Sequence, residues 1–231
     1  MRTYAMSDIH GQWEAFEESL ALVPLGDPDV RLVLLGDYID HDWGRPETFS
    51  QVKALQERHP GRVIVLMGNN DDAYATYEGD TLDPSVLRWL RALPPYYETD
   101  DQIYVHSGVD EEAGDLWRWG SEDAYFWSKF PPSQGPFIKD VVAGHMGACA
   151  FCGEHRVWWD GASHYYIDGS TETSGFVPVL VFDDVSGRYT TFERSDDDWR
   201  EVPVTPPLPG EGDRIRDLAE RVMDRLREDE G

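Results

Sequence analysis

An α/β fold is predicted by two features of this chain. Apolar, β-rich runs alternate with helical stretches through the first half, and short polar segments rich in Asp, His and Asn, set off by Gly, follow those runs. Polar residues at strand ends with Gly in the turn are how an α/β sheet gathers distant side chains into one cleft. In order, strands near 2–7, 31–36 and 63–67 enclose helices near 11–22 and 46–58, a βαβαβ unit with parallel strands. Residues 71–93 read as helical, broken at Asp83-Pro84, a helix start for the segment Ser85-Val86-Leu87-Arg88-Trp89-Leu90. From Pro94 onward short strands dominate: 96–99, 102–106, 138–143, 156–159, 164–168, 176–183 and 188–193, with a Ser-Gly hairpin turn between Asp184 and Arg188.

Residues 109–137 form the longest irregular stretch, dense in aromatics. The expectation is Trp127 buried as core and the 109–123 part near a cleft mouth, where flat aromatic side chains offer contact area at little entropy loss. After Arg194 the chain turns polar and Pro-rich, which reads as a linker or a strand-like arm. A helix over 211–229 then carries Ile215, Leu218, Ala219, Val222 and Leu226 on one face. This divides the chain into one domain over 1–194 and an arm plus amphipathic helix over 195–231 packed on it. Docking of that helix on a second subunit is the alternative, and oligomeric state does not follow from the sequence.

At 231 residues with nine Trp, the chain can bury a full core. Its formal net charge is −25, from 45 acidic against 20 basic side chains. Such a surface repels phosphate backbones, so non-specific nucleic-acid binding is not expected. Met1-Arg2-Thr3-Tyr4 leads straight into the first strand, and no apolar run approaches a membrane span, so neither a signal peptide nor a membrane partner is expected and the location reads as cytoplasmic. Cys149 and Cys152 make one C-x-x-C, half a zinc site without a second pair. Two incidental thiols are favoured over a redox pair.

The polar segments carry the chemistry. They are Ser7-Asp8-Ile9-His10-Gly11, Gly36-Asp37-Tyr38-Ile39-Asp40, Gly68-Asn69-Asn70-Asp71, His106-Ser107-Gly108 and Gly144-His145. Oxygen and imidazole donors without thiolate suit Mn, Fe or Zn better than a structural zinc or a pure Ca site. Taken singly, Asp8 or Asp37 reads as a turn or helix cap, and His106 or His145 as a hydrogen-bonded, half-buried histidine. That reading needs several coincidences in order, and a two-metal hydrolytic site accounts for all of them.

In this order and spacing the segments resemble the calcineurin-like metallophosphoesterases. The closer likeness is to the phosphoprotein phosphatase branch of bacterial serine/threonine phosphatases and diadenosine tetraphosphatases, with its GDxHG, GDxVDRG, GNHE, HGG or HAG, and GH signatures. The resemblance covers roughly residues 2–194, and Tyr166-Ile167-Asp168-Gly169-Ser170 is similar to the family's IDTG segment. It implies a four-layer αββα sandwich with mixed sheets. It also implies two divalent ions, Mn²⁺ foremost with Fe or Zn as alternatives, acting on a phosphorylated substrate. Asp8 and His10 would hold the first ion, Asp37 would bridge, and Asn69, His106 and His145 would complete the second. Two dications about 3.5–4 Å apart need an anion between them, and together they activate a water for in-line attack on phosphorus.

Three departures from the pattern fall on catalytic positions. Asn70 stands where the family has its proton-donating His, and an amide cannot act as a general acid, a role typically worth about 10²–10⁴-fold. His41, after Asp40, stands where the family has a phosphate-clamping Arg, and the Asp40 carboxylate would favour its charged form so that His41 could serve both missing functions. Lys129, in Trp127-Ser128-Lys129, is the best match to a second clamp arginine, although an ammonium lacks the planar fork. Three functions follow: a phosphomonoesterase first, then a dinucleoside polyphosphate hydrolase, then a metal-binding phospho-ligand module with reduced turnover.

Overall fold

Period-two burial organises both sheets. In the first strand, β1 (Arg2–Met6), Tyr4 and Met6 face one core while Ala5 faces another; in β2 (Val30–Leu34), Leu32 and Leu34 oppose Val33 in the same way. Strands apolar on both faces must be covered on both faces, which dictates a layered sandwich. The computed structural model describes residues 1–40, 45–119, 122–195 and 198–229.

The remaining elements are α1 (Trp13–Leu20), α2 (Glu47–Arg58), β3 (Val63–Val65), α3 (Asn69–Tyr77), α4 (Pro84–Leu90), β4 (Tyr96–Glu98), β5 (Gln102–Val105) and α5 (Asp123–Ser128). They continue with β6 (Asp140–Gly147), α6 (Cys149–Cys152), β7 (Trp158–Trp159), β8 (His164–Asp168), α7 (Thr171–Ser174), β9 (Leu180–Asp183), β10 (Arg188–Ser195), β11 (Asp198–Pro203) and α8 (Asp213–Asp229). A six-stranded sheet has the order β11-β10-β9-β1-β2-β3, and a five-stranded one β4-β5-β6-β8-β7. In the first, β1, β2 and β3 are parallel; in the second, β5, β6 and β8 are parallel; antiparallel strands complete each. The architecture is the expected α/β sandwich of mixed sheets flanked by helices.

Three cores separate the layers. Ala5, Val33, Leu66, Tyr104, Val142, Ile167 and Leu180 lie between the sheets. Phe16, Phe49, Val52, Tyr74 and Leu90 from α1 to α4 cover the outer face of the first sheet. Trp117, Phe126, Phe151 and Ile215 cover that of the second, so α8 is seated on its own chain through Ile215. Asp83 caps α4 by accepting from the Ser85 N–H at 2.7 Å, with Pro84 at the first helical position, as the Asp-Pro pair predicts.

Some elements differ from expectation. The strand expected at 176–183 shrinks to Leu180–Asp183, because Pro178 has no N–H for a ladder. The strand expected to end at 143 instead runs to Gly147. Of the two forms expected for the polar stretch after Arg194, the strand-like arm is the one present, as β11 pairs with β10 at the sheet edge. Trp127 is only half buried, packed against the first outer core, while Phe126 and Trp117 are the buried aromatics of the 109–137 stretch. Trp119, in the part expected at a cleft mouth, is 80% exposed.

Candidate metal centre

The six sequence-predicted donors all sit just past the ends of parallel strands or within one. Asp8 and His10 follow β1, Asp37 follows β2, Asn69 follows β3 as the first residue of α3, His106 follows β5, and His145 lies within β6. Because both sheets run their parallel strands toward the same edge, the turns meet there. The Asp8, His10 and Gly11 N–H groups donate to the carbonyls of Gly36, Asp37 and Tyr38 at 3.1, 3.1 and 2.8 Å, zipping the first two turns together. The Gly144 N–H donates to the His106 carbonyl at 2.8 Å, joining the two turns of the second sheet, and the His145 N–H donates to Asp8 Oδ2 at 3.0 Å, which ties that sheet to the first.

The turns have an unusual backbone. Asp8, His10, Asp37 and His145 have φ of 57°, 47°, 55° and 63°, the left-handed region that non-glycine residues seldom occupy. Ser170, after Asp168, is at 49°. At His145 the cause is a register shift between Ala143 and Gly147 in β6, a bulge that re-aims a side chain. Two glycines permit the close approach. A Cβ on Gly68 would fall 2.2 Å from the Asp37 backbone nitrogen, and one on Gly144 would fall 2.0 Å from Ser7 Oγ and 2.2 Å from Asp8 Oδ2.

The result is two triads sharing one carboxylate: Asp8, His10 and Asp37, and Asp37, His106 and His145, each set of donor atoms lying within 4.8 Å of one another. Asn69 Oδ1 is 2.9 Å from His106 Nε2, so the amide oxygen joins the second triad. His106 is fully buried with its Nδ1 3.0 Å from the Leu35 carbonyl. A proton on Nδ1 donates there and leaves the Nε2 lone pair facing Asp37 and Asn69, as in histidines that ligate a metal through one nitrogen and are oriented by a carbonyl at the other.

Asn70 does not stand apart from this centre. Its N–H donates to Asp37 Oδ1 at 2.9 Å and its Nδ2 to Asp37 Oδ2 at 2.7 Å, so both oxygens of the shared carboxylate are held by one residue. Asp71, a residue the sequence did not single out for this role, accepts from the N–H groups of Asp37, Tyr38 and Gly68 at 2.8, 3.0 and 3.0 Å and so fixes the turn. A Gly-x-x-Asp at a helix start was the available signal.

The electrostatics show what this pocket lacks. Asp8, Asp37, Asp71 and Asp168 are all buried. Burial, with Asp37 close by, pushes the Asp71 carboxyl up to about 7, and burial with Asp8 takes Asp168 to about 8. Burial opposes charge on His10 and His106, yet Asp8 and Asp37 overcome it and carry His10 to about 10 and His106 to about 9. His145 goes down, through burial and the neighbouring His106. His10 Nδ1 is a buried nitrogen with no hydrogen-bond partner among the described residues. An oxygen- and imidazole-lined cluster in which, among the described residues, protons are the compensating charge fits divalent cations.

A cavity of about 340 Å³, lined by His10, Gln12, Asp40 and Glu172, opens beside the first triad. Asp40 thus lies at the cleft as its sequence position suggests, and Glu172, on α7, is an acidic rim residue that the motifs did not reveal. His41 lies outside the described residues. Lys129 is buried, and its ammonium is engaged by Glu111 and Ser133, while Glu111 also meets His164 Nε2 at 3.3 Å. The Lys129 backbone carbonyl accepts from Ser107 Oγ at 2.6 Å, and a Cβ on Gly108 would fall 2.7 Å from Lys129 Cδ. Lys129 therefore braces the loop that carries His106.

Two carboxylate–imidazole triads sharing one Asp, on this α/β sandwich, make a candidate dinuclear metal centre. Residues 1–199 match the calcineurin-like phosphoesterase family, and the chain belongs to that family. A protein phosphatase 2A catalytic chain of Dictyostelium discoideum is 29% identical over 123 residues, 47% of this chain and 38% of that protein. The symmetrical bis(5'-nucleosyl)-tetraphosphatase of Methylobacillus flagellatus is 30% identical over 140 residues, 54% of this chain and 47% of that protein. The matched segments span less than half the length of either relative. Among solved structures, the cold-active protein-tyrosine phosphatase of a psychrophilic Shewanella species superposes with a TM-score of 0.60 at 15% identity, covering 87% of this chain and 80% of that one. A metallophosphoesterase from Sphaerobacter thermophilus gives 0.51 at 17% identity, covering 94% of each. At these identities the likeness is one of fold. Among the described residues no helix is long and apolar enough to cross a membrane.

Proposed function

We propose that this protein hydrolyses phosphomonoesters, of a phosphoprotein or a small metabolite, using two divalent ions of which Mn²⁺ best suits the donor set. One observation carries the reading: two carboxylate–imidazole triads share Asp37, the geometry that two neighbouring dications require. The ions, when bound, supply Lewis-acid polarisation of the phosphoryl oxygens and an activated water. Asp8 and His10 would hold one ion and Asn69, His106 and His145 the other, with Asp37 shared between them. Asn70 fixes the orientation of the Asp37 carboxylate through its two hydrogen bonds. Its amide is no general acid for the leaving oxygen, so that task falls to Asp40, at the cleft, and to His41, next in the sequence. Lys129, neutralised by Glu111, positions the His106 loop and does not clamp phosphate.

Hydrolysis of dinucleoside polyphosphates is the second reading, favoured by the 30% identical relative of that activity. Asp40 and Glu172 at the cleft argue against it, since they repel a long polyanion. The test is elemental analysis and phosphate release from the Mn²⁺-loaded protein, with aryl and alkyl monoesters, phosphopeptides and a dinucleoside tetraphosphate as substrates. Two ions per chain and turnover of monoesters are expected. At most one ion per chain at saturation overturns the dinuclear site. Two ions with phosphopeptide binding but no turnover would select the binding-module reading, and preference for the tetraphosphate the second enzyme. Without a fully competent acid, p-nitrophenyl phosphate should outrun an alkyl phosphate, because nitrophenolate departs unprotonated. His41→Ala should then slow alkyl phosphates selectively.

A further inference from the structure

We infer that the cavity at the C-terminal end of α7 docks an arginine side chain of a peptide substrate. This rests on the phosphomonoesterase reading for its purpose and deepens it, by naming a basic phosphopeptide as the substrate class. The cavity is about 460 Å³, within the size range of ligand sites, and lies where α1, the 154–156 loop, the 174–176 loop and the β10–β11 edge converge. Its apolar wall is Phe176, Phe192 and Trp199, with Phe176 and Trp199 stacked at 5.3 Å.

The charges at this wall decide what it takes. Arg156 is saturated: Nε meets Glu154 at 2.7 Å, Nη2 meets Glu211 at 2.9 Å, and Nη1 donates to the Val157 carbonyl at 3.1 Å. Arg194 pairs with Glu18 at 3.1 Å while its guanidinium sits 5.8 Å from the Trp199 ring centroid. Both lining arginines are thus neutralised within the fold, and Glu193 is left without a side-chain partner among the described residues. Aromatic faces plus an unpaired carboxylate are the chemistry that recognises an organic cation. The Arg194–Trp199–Glu18 arrangement shows that a guanidinium fits it. An anion would instead have to displace Glu18, Glu154 or Glu211 from their arginines.

The position suits a substrate that reaches both sites. One short helix, α7, carries Glu172 at the metal cleft and ends at Gly175 and Phe176 in this cavity. His155, also in the cavity wall, has Nδ1 2.8 Å from the carbonyl of Gly169, next to Asp168. An extended peptide with its phosphorylated residue at the cleft passes the acidic Glu172 before an arginine a few positions away enters the aromatic pocket. The absence of any free cation among the described residues lining the cleft fits a substrate that brings its own.

Calorimetry tests this with a short unphosphorylated peptide containing two arginines and with its alanine counterpart. The arginine peptide should bind at least tenfold more tightly than the alanine peptide. Glu193→Lys, a change at an exposed position, should abolish that difference, and Trp199→Ala should weaken binding at least tenfold. Glu57→Lys, an exposed change on α2, controls for net charge and should leave binding within twofold. On the Mn²⁺-loaded protein, Glu193→Lys should raise KM for an arginine-containing phosphopeptide at unchanged kcat and leave p-nitrophenyl phosphate turnover unaltered. Equal binding of the two peptides, or equal loss with Glu193→Lys and Glu57→Lys, overturns the site. Binding as expected with no hydrolysis of any ester overturns the phosphatase reading and leaves the docking site standing.

Discussion

The chain buries two clusters of charge, and they are built on opposite principles. At the metal centre Asp8, Asp37, Asp71 and Asp168 meet no Lys or Arg among the described residues that form it, and His10 and His106 are pushed toward protonation. Under the 109–137 stretch, Lys129 and His164 are matched against Glu111 and Asp160, with His164 Nδ1 3.2 Å from Asp160 and Nε2 3.3 Å from Glu111. There Glu111 is held down to about 2 despite its burial, because His164 and Lys129 hydrogen-bond it. The second cluster is closed. The first is balanced only by protons held on its carboxyls and imidazoles, and that dependence separates a candidate cation centre from a structural tie.

Substitutions can break the contrast. Asp37→Asn should have the largest effect, a loss of about 10³-fold or more in phosphate release with bound metal falling below two ions per chain by elemental analysis. In excess chelator the same variant should unfold no more readily in urea than the parent, because one of four crowded carboxylates has gone. Lys129→Ala should do the reverse. It leaves Glu111 with His164 as its remaining cationic partner and should cost about 1–3 kcal/mol in urea unfolding with or without metal, with metal content per folded chain unchanged.

The pH dependence of the closed cluster comes next. The Glu111 carboxyl lies at about 2 when folded against 4.5 ordinarily, so the unfolded chain binds its proton first. The stabilisation is full above about pH 4.5 and fades as pH falls toward 2, up to about 3 kcal/mol. Glu111→Gln should flatten this limb in urea titrations at pH 3 and pH 6, and an unchanged slope would mean that the cluster is not coupled as drawn. The smallest effect is expected for Asn70→Ala. Removing the amide that steadies Asp37 should weaken metal affinity by about 10–100-fold in competition titrations and leave unfolding in chelator nearly unaltered.

Much of the open cluster was legible in the sequence, since each donor follows or sits in an apolar run and local order maps directly onto strand ends. What holds the donors was less so. Asp71 grips the Asp37 turn from 34 residues away and looks locally like a helix cap. Glu172 reaches the cleft only because α7 follows a left-handed Ser170. Lys129 illustrates the opposite error of scale. A lysine in a Trp-x-Lys segment reads as a free cation until Glu111 and Ser133 are seen around it, and that pairing depends on a long irregular stretch with no period to follow. In the fold, the parallel unit was readable because its strands are apolar on both faces. Edge strand β11, with Asp198, Arg200 and Glu201, has no such pattern and owes its strand form to its ladder with β10.

The left-handed backbone at Asp8, His10, Asp37 and His145 has a consequence for anyone who would redesign this protein. Each such residue costs on the order of 1–2 kcal/mol that glycine would not. The same is true at Ser170, which touches no proposed ion. A search for heat-resistant variants guided by stability alone would therefore drift toward glycine at the four residues where chemistry forbids it. Ser170→Gly offers that relief of strain at a position outside the donor set, and makes a first substitution for hardening the scaffold without dismantling its centre.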